Sequence, residues 1–159
     1  MIRIVRATGE DPYRFLEFVK PNEIAEVPKS DPTWLECNGD RYIMALRRGK
    51  EGCHFLDRKT RFCRIYDNRS ILCRLYPFAL HETRKGEFKS FTLHKDVGCQ
   101  RHQDGIVPTM PLYALYLEDR EHQEDYDDLV AVFNRKRSKT KHPRHFVQLF
   151  IAGLEPPNA

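Results

Sequence analysis

Cysteine offers the most chemistry in this chain, and the five cysteines fall at Cys37, Cys53, Cys63, Cys73 and Cys99. Nine residues separate Cys53 from Cys63, nine more separate Cys63 from Cys73, and twenty-five separate Cys73 from Cys99. A disulfide framework built from an odd number of cysteines leaves one unpaired. Residues Met1 to Gly9 mix charged and apolar side chains, with no apolar stretch ahead of a small-residue cleavage site. The expectation is a cytoplasmic protein with reduced thiols, in which metal ligation takes precedence over pairing.

Zinc fingers and ribbons present at least one pair of ligands two to four residues apart, and no two cysteines here are that close. Spacing therefore leaves two readings open: thiolates around a metal, or small apolar side chains packed in a core. Flanking residues favour the first. Arg61-Phe62-Cys63-Arg64, Cys73-Arg74 and Gly98-Cys99-Gln100-Arg101 surround sulfur with charge and not with an apolar run. Residues 53 to 76 hold six Lys or Arg against Asp57 and Asp67, in a chain of net charge +4. Four thiolates on a divalent ion leave about two excess negative charges, and nearby arginines offset the cost of burying them. Arg64 and Arg74 are the expected charge-balancing neighbours. Among histidines, His54, His94 and His102 lie nearest the cysteines; a surface or hydrogen-bonding role is expected for each, with His102 the best substitute ligand.

The elements that must position these thiols are short. Residues 1–9 suit a helix closed by Gly9, and Asp11 caps a second helix with Pro12 in its first turn and Tyr13, Phe15, Leu16, Phe18 and Val19 apolar. A proline-rich loop covers residues 20–33. Tyr42 to Leu46 reads as a strand, Gly49 to Gly52 as a turn, and Cys53 to Leu56 and Phe62 to Tyr66 as brief strands. Ser70 caps one helical turn that carries Cys73 and stops at Pro77, and Phe88 to Leu93 is a later strand. Helical spacing then runs over residues 112–136, with a last helix from His145 to Ala152. The fold class expected is α+β: a small cysteine-cluster domain over residues 1–105 with short antiparallel strands and N-terminal helices, and a C-terminal helical segment over residues 106–159 packed on it.

The segments Cys53-His54-Phe55-Leu56-Asp57, Cys63-Arg64-Ile65-Tyr66-Asp67, Arg69 and Cys73-Arg74-Leu75-Tyr76-Pro77-Phe78 occur in that order. Together they resemble the zinc- or iron-chelating cysteine-cluster family of CxxCxxCC type, the YkgJ-like proteins, which includes flagellin lysine N-methylases. The resemblance covers roughly residues 1 to 100. It implies that Cys53, Cys63 and Cys73 are cluster ligands, that Cys99 joins them, and that zinc or an iron-sulfur cluster is the cofactor. Cys37 is held in reserve. The family has Arg-Pro where this chain has Arg69-Ser70, and it opens with a dense cysteine motif not found here, so Met1 is expected to be an internal start.

Several chemistries are excluded by motif. No CxxxCxxC loop for radical chemistry, no GxxxxGK[ST] phosphate loop, no GxGxxG, no GxSxG and no HExxH occur. Residues 124–128, Glu-Asp-Tyr-Asp-Asp, lack the glycine and closing glutamate of a calcium loop. No apolar run reaches the roughly 20 residues of a membrane helix. Residues 118–134 hold seven acids against Arg120, and residues 135–145 hold six Lys or Arg and no acid. Such an arrangement complements a helix dipole, so nucleic acid is not expected as a partner, while a protein partner is possible. The function expected is metal-cluster binding. The alternatives are a lysine N-methylase of the flagellin methylase type, and an interaction module with a structural metal.

Overall fold

Ile2–Thr8 forms α1, and Gly9 ends it in the left-handed region (φ 64°), with its N–H donating to the Val5 carbonyl. Asp11 accepts the Tyr13 N–H at 2.9 Å and opens α2. That helix, Pro12–Phe15, is only one turn long, and the chain continues as a strand, β1 (Leu16–Val19). The second helix expected to run on through Val19 is thus cut short. Isolated helices of two turns are marginal, whereas a strand here finds a partner for its backbone groups. That partner is β3 (Asp40–Leu46), antiparallel, with Leu16 opposite Leu46 and Phe18 opposite Met44.

The chain is a computed structural model describing residues 1–24, 27–83, 85, 87–94, 109–136 and 138–151. On the other edge of β3 lies β2 (Leu35–Cys37), giving the order β1-β3-β2. The turn between β2 and β3 is Asn38-Gly39, both with positive φ (54° and 89°), as a two-residue hairpin of matching twist requires. β4 (Arg48–Gly49) and β5 (Gly52–Cys53) make a second, minimal hairpin with Arg48 opposite Cys53. The last helix, α5 (Arg144–Ile151), buries Phe146 and Val147 completely.

Two contiguous clusters form the interior of this part of the molecule. One joins Ile4, Phe15, Leu16, Phe55, Ile65 and Val147; the other joins Leu35, Cys37, Val130, Phe133 and Phe146. By contact the chain divides into one compact unit of residues 1–69 with everything from Gln123 onward, and a second unit of residues 70–122. In the second, Ser70 accepts the Cys73 N–H at the start of α3 (Ile71–Leu75), and β6 (Phe78–Glu82) pairs with β7 (Phe88–Leu93). Phe88 packs on Tyr113 and Tyr116 with ring centroids 4.9 and 5.8 Å apart, and the Tyr116 hydroxyl donates to Glu82 at 2.8 Å. α4 (Thr109–Arg135) is the longest element, and the unit boundary falls within it. The architecture is α+β, with short antiparallel strand pairs, N-terminal helices and a helical C-terminal segment. No described helix is long and apolar enough to cross a membrane.

Candidate metal centre

Cys53 ends β5, and its carbonyl accepts the Leu56 N–H at 2.9 Å. Leu56 then bridges antiparallel to Cys63, flanked by Asp57 N–H to Phe62 O and Arg64 N–H to Phe55 O, each 2.8 Å. The two cysteine segments therefore run side by side. They join through this bridge and not as the two full strands expected; Tyr66–Asn68 turns instead into a single 3-10 turn. The reversal between them is held by one carboxylate. Asp57 Oδ1 accepts the N–H groups of Lys59 and Thr60 at 3.0 and 2.8 Å and the Thr60 hydroxyl at 3.0 Å. These bonds, with the Thr60 backbone N–H the strongest, hold the Asp57 carboxyl below the usual carboxylate range.

Both thiols are half-buried, and both pack against the first core cluster. Arg64 lies over the same loop: its Nη2 donates to the His54 carbonyl at 2.9 Å, and its guanidinium carbon is 5.8 Å from the Phe55 ring centre. A cation is thus anchored to the backbone next to Cys53. His54 turns its Nε2 to Glu10 Oε1 at 2.7 Å, and Glu10 also faces Arg14 at 3.8 Å. Glu10 is a partner that sequence spacing gave no means of pairing with His54, forty-four residues away.

Cys37 is buried in the second cluster, and loss of solvent pushes its thiol up, opposed by the nearby Lys141 ammonium. Cys73 is exposed on α3 in the second unit, where Arg74 faces Glu118 at 3.5 Å and His94 stacks on Tyr76. Cys99 and His102 lie outside the described residues. Among the described residues, no three of His, Cys, Asp or Glu come together to hold a metal ion. What those residues do supply is two half-buried thiols on segments joined by the Leu56–Cys63 bridge, the donor type that suits zinc and iron-sulfur clusters alike.

Two thiols on adjoining backbone segments, with an arginine fastened across their loop, mark a cysteine-bearing α+β domain. Family comparison makes the class specific: residues 13–102, more than half of the chain, match the CxxCxxCC family, a putative zinc- or iron-chelating domain. The chain belongs to that family. Neither a curated protein nor a solved structure matches it.

Proposed function

We propose that this chain is a cytoplasmic metal-binding protein that holds zinc or an iron-sulfur cluster through Cys53, Cys63, Cys73 and Cys99. In this reading residues 1–105 carry the centre and residues 106–159 are its helical extension. The observation that carries it is the Leu56–Cys63 bridge, which sets two half-buried thiols on neighbouring segments. Arg64, bonded to the His54 carbonyl, supports the reading by placing positive charge where thiolates accumulate negative charge. Cys73 and Cys99 enter the ligand set on the family motif alone, and Cys37 is the reserve donor.

Anaerobic purification followed by metal analysis and an absorption spectrum tests the proposal. Zinc, with a filled d shell, leaves the visible spectrum blank, while an iron-sulfur cluster colours the protein. Cys53→Ser and Cys63→Ser are each expected to reduce bound metal at least tenfold, about the lower bound seen when a site loses key support. Full metal content in both variants would sink the reading. Cys37→Ala is expected to leave metal content unchanged, because its thiol is packed between Leu35 and the α4 and α5 side chains.

A further inference from the structure

We propose that the groove between the Asn38-Gly39 turn and the end of α4 binds the phosphate backbone of nucleic acid, independently of base sequence. This groove has a volume of about 920 Å³ and is open to solvent. Its walls carry Arg41, Arg135, Lys136, Lys139 and Lys141 against two carboxylates, Glu36 and Asp40. Both carboxylates are already engaged: Glu36 with Arg41 at 3.5 Å, and Asp40 with Lys20 at 3.1 Å. Among the described residues, Arg135, Lys136 and Lys139 have no ion-pair partner, and all three are exposed.

The geometry is built and does not depend on loose side chains alone. Asn134 accepts the Glu36 N–H at 2.8 Å and donates to the Trp34 carbonyl at 2.8 Å, which locks the end of α4 to β2. Asn38 donates to the Lys141 carbonyl at 3.0 Å, fixing the opposite rim. Lys141 itself is only 9% exposed; its ammonium donates to the Asn134 carbonyl at 3.2 Å and sits 4.4 Å over the Phe133 ring. The negative end of the α4 dipole accounts for Lys141, which caps a terminal carbonyl. It does not account for Lys139 lining the groove, nor for Lys29, which lines an adjoining depression of about 400 Å³ that shares Gly39, Asp40 and Arg41.

Several cations without an ion-pair partner on one open groove suit a polymer of phosphates better than a single anion. No aromatic side chain lines the groove, so bases have no stacking platform, and recognition rests on the backbone. The basic run of residues 135–145 gives no such indication as bare sequence. What distinguishes it is that Arg135, Lys136, Lys139 and Lys141 share one groove with the β2–β3 turn.

Fluorescence anisotropy with a labelled single-stranded oligonucleotide tests the proposal, using the protein as purified. At about 50 mM salt, K136E/K139E is expected to bind at least ~10-fold more weakly than wild type, with a salt slope smaller by about 1.4. K50E/K89E makes the same charge change at exposed lysines outside the groove and is expected to stay within about threefold of wild type. Equal weakening in both double variants would reduce the effect to net charge and overturn the proposal. So would no binding by wild type at this salt, or binding of inorganic polyphosphate without binding of the oligonucleotide.

Discussion

Asp57 holds the cysteine loop closed with a single oxygen that receives three donors. Its carboxyl is depressed chiefly by the Thr60 backbone N–H and then by the Thr60 hydroxyl. A depressed carboxylate contributes stability that is present above its unfolded pKa and is lost as pH falls through its folded pKa. Asp57→Ala is therefore expected to lower the urea midpoint at about pH 7, with a smaller gap to wild type at about pH 3. A gap of equal size at both pH values would show that the carboxylate's charge is irrelevant. The Asp-x-x-Thr pattern of residues 57–60 is a recognisable turn signal in the sequence. Reading residues 53–56 and 62–66 as strands passed over it, because alternation suggests pairing length while only the turn chemistry limits it.

At the scale of elements, the sequence was legible wherever a local signal closes a local structure. Gly9 in its left-handed cap, Asp11 on the Tyr13 N–H and Ser70 on the Cys73 N–H are such cases. The Asn38-Gly39 hairpin signal was equally local but went unread. Where the partner is remote, the sequence was silent. β3 and β7 were legible as strands, but β1 and β6, which pair with them, were not. α5 shows the same dependence in energetic form: Phe146 is fully buried, edge-on to Tyr126, Phe133 and Phe150 with centroids 5.2 to 5.4 Å away. Phe146→Ala is expected to cost about 3–5 kcal/mol in equilibrium urea unfolding, from lost burial and the cavity left behind. A cost below about 1 kcal/mol would mean that α5 does not seal the second cluster.

For the whole molecule, two interior clusters among the described residues of a chain that is 40% apolar make a modest core. Structural metal contributes on the order of 10 kcal/mol in small zinc domains, comparable with the net stability of an entire domain. Chelation is thus expected to lower the melting temperature of the metal-loaded protein by roughly 10 °C or more. An unchanged melting curve after verified metal removal would place the centre outside the folding energetics. Of the candidate site, the Cys53 and Cys63 segments were legible because motifs are linear, whereas the single Leu56–Cys63 bridge that joins them was not. The groove was not, because Glu36 and Asn134 meet across 98 positions.

The first unit begins with α1 and is completed only by α5, since Val147 belongs with Ile4, Phe15, Phe55 and Ile65. A ribosome delivers these residues in order, and at about 5–20 residues per second the stretch from Ile65 to Val147 takes roughly 4–16 s to emerge. Throughout that interval the nascent Cys53–Cys63 loop is without its roof, open to whatever metal carriers and oxidants surround it. Both sulfurs therefore gain the full apolar cluster they pack against only after Val147 has emerged.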